Sequence, residues 1–569
     1  MDNQAIARLF AELADLLEVA GENPFKTRAY RAFAQTAREH DAPLATIAAA
    51  GELEALPGVG KAIAAKVDAA LHTGSFPALE RARAQVPAGV KRLLDVPGLT
   101  PKLVRTIWRE AGVESLGELA YACEENRLAH LPGIGAAEQA AILDGVRALL
   151  EKGDGVLLAT AIVAARAIEY LLCRAGAAEV AAVGDARRGV ELVRELSVIA
   201  RGIDASAIAP AIDAKPELEG VHASAAADGA TLVVHGLPIR VRAVAETDWV
   251  GELLLGTGDA AHLAWLEALA KERGTDLASL CAATTSEEHV YDTLGLTPVP
   301  AELREGPAPS VPEGLVSVAD VRGFFHVHTD WSDGTAPILA MARAASRVGY
   351  RYIGISDHSR AAAYANGLDP ERLAEQAQAI AMARREATAC AIFHGIEVDI
   401  LADGALDLPD EILASLDFVI ASVHSRLAMP EDEMTRRIVR AVSHPLVTIL
   451  GHPTGRLLLG RRGYAFDLEA VARAAAANDT YLEINANAQR LDLNDVLVKR
   501  AAKVGARFAI DPDAHAHHAV EETALGVMVA RRAGLRREQV LNAKGREEIA
   551  AVLAARKDAA LARLTAARP

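Results

Sequence analysis

Residues 324–334 read FFHVHTDWSDG. Side chains two apart on a β-strand share a face. A strand through the apolar VRGFF therefore brings His326 and His328 out side by side at its end, placed to share one metal ion. Asp333, in the SDG turn just beyond, can fold back over the same position. A histidine pair is also a common solvated strand end, so the rest of the chain must decide. Six further apolar runs carry ligand-type residues at or near the same end. RYIGIS leads to Asp357 and His358, AIFHGI to Glu397 and Asp399, LDFVIAS to His424, and LVTIL to Gly451 and His452. TYLEI contains Glu483 and precedes Asn485, and RFAI leads to Asp511, Asp513 and His515. In βα barrels these strand ends converge on one face, where the site lies. Alanine-rich helical segments alternate with the runs, which predicts parallel βα units. Many imidazoles with few carboxylates suit Zn²⁺, Mn²⁺ or Fe²⁺ better than Mg²⁺ or Ca²⁺, and the residues do not choose among the first three.

Other residues near these ends carry blander expectations. Asp330, Asp357, Asp399 and Asp511 are expected to brace ligands or cap turns. His394, inside a strand, is expected to be a packed core histidine. His517 and His518 are expected at the surface. Arg456, Arg461 and Arg462 follow His452 beside the expected active face, where phosphate binding is a natural role.

The chain of 569 residues has room for three or four domains. It is 51% hydrophobic and 24% charged, so it can bury substantial cores. There is no basic start followed by an apolar run, and no uncharged run of about 20 residues. The expectation is a soluble cytoplasmic protein without membrane contact, with a monomer favoured. Cys123, Cys173, Cys281 and Cys390 are far apart and form no CxxC, which argues for reduced thiols and against a thiolate zinc site. The net charge of -16 is awkward for a nucleic-acid binder. It is uneven: about -3 over residues 1–150, about -11 over 151–310 and about -2 over 311–569.

Residues 1–155 read as short helices punctuated by three related loops. These are Leu56-Pro57-Gly58-Val59-Gly60-Lys61, Val96-Pro97-Gly98-Leu99-Thr100 and Leu131-Pro132-Gly133-Ile134-Gly135. The pattern resembles the helix-hairpin-helix motif. Its glycines permit a close turn, and the following helix offers free backbone N–H groups to a DNA phosphate. Such binding ignores sequence and needs few charges. The resemblance assigns DNA contact to Gly58, Gly60, Lys61, Gly98, Gly133 and Gly135. The second copy has Thr100 in place of the second glycine, and the third has no basic residue after Gly135. Lys26, Arg28 and Arg31, in ENPFKTRAYR, sit on an expected helix as further cations for a DNA end or as a solvated face.

In residues 156–305, AVGDARRG (182–189) resembles the GSxRRG nucleotide-binding segment of the bacterial family X DNA polymerases. Gly256-Thr257-Gly258 with His262 resembles that family's TGS…H segment. The resemblance spans the whole chain and implies a helical domain, a palm and thumb, and a C-terminal PHP (polymerase and histidinol phosphatase) domain. Polymerases hold two Mg²⁺ ions on three carboxylates. The family's D-x-D falls here on Glu195-Leu196-Ser197, and its third carboxylate on Arg240. A cation stands where a cation should bind. The expectation is a retained fold with templated nucleotide addition lost or very weak, and no need for Mg²⁺ at the palm. Arg187 and Arg188 are candidate phosphate contacts or a surface pair.

The segment EGPAPSVPEG (305–314) is rich in proline and small residues and marks a boundary. Beyond it, HVHTDWSDG, ISDHS, GIEVDI, ASVHS, GHPTGR, EINAN and DPDAH resemble the PHP motifs, which implies a distorted (β/α)₇ barrel with a trinuclear metal site. The family's nine ligands fall on His326, His328, Asp333, His358, Glu397, His424, His452, Asp513 and His515. The resemblance groups His326, His328, Glu397 and Asp513 on one metal. It groups Glu397, His424 and His452 on a second, and Asp333, His358 and His515 on a third.

The expected fold is multidomain: an all-α helix-hairpin-helix region (1–155), an α+β nucleotidyltransferase-like palm and thumb (156–305), a linker (306–320) and an α/β barrel (321–569). The expected activity is metal-dependent phosphoester hydrolysis on DNA. The resemblance implies 3′→5′ exonuclease action, with cleavage at abasic sites or removal of blocked 3′ ends. Two other readings compete: a repair polymerase with an accessory nuclease, and a phosphatase of a small phosphomonoester such as histidinol phosphate.

Overall fold

The computed structural model describes residues 1–129, 131–150, 155–213 and 221–566. The chain divides into two compact units, residues 1–150 and 151–569. The boundary expected at 155/156 abuts residues 151–154, which lie outside the described residues.

The first unit is helical. Helix Asn3–Ala20 is capped by the Asp2 carboxylate and ends at Gly21, where φ is 85°. Its Ile6, Phe10, Leu13 and Val19 recur at helical spacing and are buried. The Phe10 and Phe33 rings meet edge to face with centroids 4.5 Å apart, joining this helix to Pro24–Glu39. The three loops share one construction. Gly58, Gly98 and Gly133 take φ of 78°, 86° and 88°, a region that costs other residues a steric clash. The apolar residue after each glycine (Val59, Leu99, Ile134) drops into the core. Glycine turns the chain and its neighbour anchors the turn.

The second unit opens with a five-stranded sheet in the order Glu179–Val183, Leu196–Arg201, Leu237–Ala243, Gly229–Val234, Ser224–Ala226. Only the pair Leu196–Arg201 with Leu237–Ala243 is parallel. Helices Leu158–Arg174 and Ala205–Asp213 pack on this sheet through Ile168, Leu172, Ile208 and Ile212. Four short helices from Trp249–Thr257 to Glu287–Thr293 gather round Leu254, Leu266 and Tyr291.

From residue 323 onward the strands are parallel, in two sheets. One contains Gly323–Phe324, Tyr352–Ile355 and Ala391–His394; the other runs in chain order from Glu397–Asp399 to Phe508–Asp511. Isolated bridges Val327–Ala514 and His358–Glu397 close the two sheets on each other. The expected single strand through AIFHGI to Asp399 is two strands in different sheets. Gly395 lies at the break, and a Cβ there would come 2.4 Å from the Phe418 ring, so the chain bends where only glycine fits. The segment expected as a linker is tied down: Val316 N–H donates to Leu535 O, and Leu315 bridges Arg536. Among the described residues, no helix is long and apolar enough to cross a membrane.

Candidate metal centre

The strand ends bring all nine predicted ligands into one cluster. Eight are buried, and His424 is 10% exposed at the side chain. His326 Nε2 lies 3.3 Å from Asp513 Oδ1 and 3.4 Å from Glu397 Oε1. His328 Nε2 lies 3.2 Å from the same Asp513 oxygen. Glu397 Oε1 is also 3.0 Å from His452 Nε2 and 3.3 Å from His424 Nε2. Asp333 spans His358 Nε2 and His515 Nε2, each at 3.4 Å, and His328 Nδ1 at 3.5 Å. Two donors about 2.1 Å from one tetrahedral ion stand about 3.4 Å apart. Most of the spacings are close to those of ligand pairs, while His452 Nε2–Glu397 Oε1 at 3.0 Å and His358 Nδ1–Glu397 Oε2 at 2.8 Å are also within hydrogen-bond range.

The donor atoms fit metal on a second count. His326 Nε2, both ring nitrogens of His328, Asp333 Oδ2, His358 Nδ1 and Glu397 Oε2 are buried with no hydrogen-bond partner. Buried polar atoms rarely remain unsatisfied. Here they converge on common points, and four groups of three or more such atoms are close enough to hold an ion. These four groups differ from the expected three: His328 joins Asp333, His358 and His515, and Glu397 is not grouped with His326, His328 and Asp513. His424 and His452 separate, His452 with His326 and Glu397 and His424 with His358 and Glu397.

A layer of residues aims the ligands. Glu483 Oε1 lies 2.6 Å from His326 Nδ1, and its other oxygen accepts the His452 backbone N–H. Asp399 approaches His424 Nδ1 at 3.3 Å. Asp357 accepts from Thr329 N–H, Thr329 Oγ1 and Gln376 Nε2 at 2.7, 2.7 and 2.6 Å, fixing the loop between His328 and Asp333. Gly334 completes that loop, since a Cβ would lie 2.6 Å from the His328 carbonyl carbon. Asp511 accepts the Phe325 N–H at 2.7 Å. Asn485 Nδ2 donates to Asp513 Oδ2 at 3.0 Å, and Arg490 Nε lies 3.4 Å from it. Arg490 carries no signal in its sequence neighbourhood; only the folded loop reveals it.

Electrostatics divide the imidazoles. Burial, helped by His515 and His358, holds His328 down to about 4. Burial and nearby Arg490 hold His452 at about 3. Burial also opposes charge on His358 and His424, yet the carboxylates win there. Asp333 and Glu397 hold His358 up at about 10, and Glu397 with Asp399 holds His424 at about 9. Glu397 and Asp333 stay ionised against burial because imidazoles surround them. The cluster therefore mixes ionised carboxylates with imidazoles of both kinds, His328 and His452 held neutral and His358 and His424 held protonated. His394 sits apart, in strand Ala391–His394, with Nε2 3.2 Å from Gln376 Oε1 and burial holding it at about 4. His517 and His518 are exposed.

The arginines expected as phosphate contacts each meet a carboxylate in the fold. Arg187 forks onto Glu287 at 2.9 and 2.5 Å and donates to Thr257 Oγ1. Arg188 pairs with Asp185, and Asp185 stands where the resembled segment has serine. Arg456 forks onto Glu191 at 3.1 and 2.6 Å. The partner carboxylate is buried for Arg187 (Glu287) and partly exposed for Arg188 (Asp185, 40%) and Arg456 (Glu191, 35%). His262 is a core residue, bonded to Tyr291 Oη at 2.9 Å.

In the five-stranded sheet, Ser197 and Arg240, two of the positions expected to be degenerate, are register partners on adjacent parallel strands. Arg240 is paired with Asp228 at 2.7 Å, and Glu195 is exposed. In the hairpins, helix Lys61–Thr73 begins at Gly60 without a side-chain cap. Thr100 caps Pro101–Ala111, and Glu138 covers the Gly135 N–H at 3.1 Å. The first hairpin alone of the three leaves its helical amides without such a cover. Arg31 is tied to Asp15 and Glu18 at 2.7 and 2.8 Å, so it is not a spare cation.

Comparison with known proteins adds three family matches. Residues 1–76 match a helix-hairpin-helix domain, 90–148 a SAM-like helix-hairpin-helix tandem, and 325–487 the PHP domain. The chain is 31% identical to the DNA polymerase/3′-5′ exonuclease PolX of Bacillus subtilis (strain 168), over 97% of this chain and 99% of that protein. It is 35% identical to a protein of Thermoanaerobacter sp. (strain X514) named "Probable phosphatase", over 26% of this chain and 63% of that one.

Proposed function

The chain belongs to the bacterial family X DNA polymerases that carry a PHP domain, and from that premise we propose that it is a metal-dependent DNA 3′→5′ exonuclease whose polymerase site is silent. The observation that carries the reading is the nine-ligand cluster, set against a palm that keeps one carboxylate of three. The site works in cytoplasmic DNA repair, on abasic sites or blocked 3′ ends.

Divalent ions, Zn²⁺ or Mn²⁺ with Fe²⁺ as a third choice, would be held by the nine ligands; they would supply Lewis acidity toward phosphoryl oxygens and a lowered pKa for attacking water. The chain's own residues do the rest. Glu397 lies between two groups of imidazoles and holds them at a fixed separation. Glu483 keeps the His326 proton on Nδ1, which leaves Nε2 facing the cluster. Arg490 places a cation beside Asp513 Oδ2 and so helps hold the other oxygen, Oδ1, toward His326 and His328. Gly58, Gly60 and Lys61 bind the DNA backbone without reading its sequence.

A substrate panel with Mn²⁺ tests the reading: labelled single-stranded DNA, primer–template with dNTPs, and a phosphomonoester. Shortening of DNA from its 3′ end without primer extension is expected, and it should vanish in His326→Ala/His328→Ala. Intact DNA with a hydrolysed monoester would favour a phosphatase instead, a reading supported by the phosphatase-named relatives of the barrel. Robust extension that disappears in Glu195→Ala would overturn the silent palm.

A further inference from the structure

The palm has a contact that its own chemistry does not explain. Glu191, two residues after the RRG turn, takes both terminal nitrogens of Arg456 at 3.1 and 2.6 Å. The same guanidinium donates through Nε to Arg490 O at 2.9 Å and through Nη2 to Leu491 O at 2.5 Å. Arg456 thus links the palm to the loop that follows strand Tyr481–Asn485. That loop is the one aimed at the metal centre. Its Arg490 side chain is 4% exposed and approaches Asp513 Oδ2 at 3.4 Å. Its Asp492 pairs through the backbone with Asn485, whose side chain also holds Asp513. Asp492 further accepts from Thr454 N–H at 3.0 Å, two residues from His452. Two ligand-bearing segments therefore meet at one guanidinium, and its counter-ion comes from the palm.

The palm is seated firmly enough to serve. Arg532, at the end of helix Thr523–Arg532, donates to Arg188 O at 3.0 Å and forks onto Glu305. A Cβ on Gly189 would lie 2.9 Å from Met528 Cε, so the RRG turn rests directly on that helix. The ion pair is mostly shielded, at 13% exposure for Arg456 and 35% for Glu191. A forked, partly desolvated pair fixes direction as well as distance.

The geometry points to Glu191 as a positioning residue of the barrel's metal site: it orients Arg456, Arg456 fixes the loop at 490–492, and that loop sets Asp513. The silent palm is a structural arm of the nuclease centre. The inference rests on the metal-centre reading and not on which substrate is cut.

The test uses the full chain and reads metal binding rather than turnover. Co²⁺ titrated into the metal-free protein reports ligand geometry by its visible absorption, and calorimetry with Mn²⁺ reports affinity. Glu191→Gln should weaken at least one binding step about tenfold and alter the Co²⁺ spectrum, the scale seen when residues behind a ligand are removed. Arg456→Gln should do the same, and the double variant should add little. Glu302→Gln is the control, because Glu302 pairs with Arg531 at 2.7 Å across the same joint without touching the loop. It should lower melting temperature like Glu191→Gln while leaving Mn²⁺ affinity and the Co²⁺ spectrum unchanged. Wild-type metal binding in Glu191→Gln, or equal loss in Glu302→Gln, would overturn the proposal. A chain that binds metal in this pattern but cuts no DNA would sink the nuclease reading and leave this one standing.

Discussion

The carboxylate of Glu483 lies 2.6 Å from His326 Nδ1 and turns that imidazole so that Nε2 faces the cluster. Its second oxygen receives the backbone N–H of His452, so one buried carboxylate aims two ligands. Glu483→Gln keeps the shape and loses the charge. Metal affinity should fall by about 10- to 100-fold, measured by competition with a chromophoric chelator. Unchanged affinity would mean that His326 is oriented by strand geometry alone.

Removing the metals should cost stability as well as activity. Seven of the nine ligand positions carry a buried atom without a hydrogen-bond partner, which is costly in the metal-free protein. A ligand at about 1,000 times its dissociation constant stabilises by about 4 kcal/mol. Prolonged chelation should therefore lower the barrel's melting temperature by several degrees, and Mn²⁺ or Zn²⁺ should restore it together with DNA cleavage. Calorimetry before and after chelation decides this.

The palm should remain silent even when metal is abundant. Ser197 faces Arg240 across the parallel pair, and Arg240 already has Asp228 as counter-ion. Primer extension should stay at background in Mg²⁺ and Mn²⁺. Arg240→Ala should not restore it, because one exposed carboxylate, Glu195, cannot hold two ions.

Glu287 should make the palm and thumb acid-sensitive. It is buried between Arg187 and Arg304, and although burial opposes its charge, the two guanidinium groups hold its carboxyl below the ordinary 4.5. A depressed carboxyl stabilises the fold above its unfolded pKa, and that contribution is lost as pH falls through the lower folded value. Near neutrality Glu287→Gln should cost about 3 kcal/mol by stranding two cations. The gap to wild type in thermal melts should shrink below pH 4.5. A gap independent of pH would refute the charge argument.

Gly58 offers a clean probe of the first hairpin. Its φ is 78°, and a Cβ there would touch nothing within 4 Å, so Gly58→Ala adds backbone strain alone. That strain costs about 1–2 kcal/mol. If DNA binding needs the loop's native shape, affinity should drop about tenfold at constant salt, by fluorescence anisotropy. Gly133→Ala should matter less, because Glu138 already covers the third helix's start.

The sequence by itself determined the candidate ligands. A metal site needs particular side chains, and a period of two residues places them at strand ends, so His326, His328 and their seven companions are legible one strand at a time. The turn glycines are legible for a similar local reason: Gly58, Gly98 and Gly133 occupy backbone angles that favour glycine. The proposal of a silent palm is legible as charge, with Arg240 where the family resemblance expects an acid. Pairing between distant segments was decided only by the tertiary structure. Arg187, Arg188 and Arg456 read as free cations along the chain, yet each meets a carboxylate in the fold. Glu191 stands 265 positions from its partner Arg456. Arg490 and the break at Gly395 were equally silent, since their causes are Asp513 and the Phe418 ring. An arginine's chemistry is the same wherever it stands; what it does depends on which acid folding brings to it.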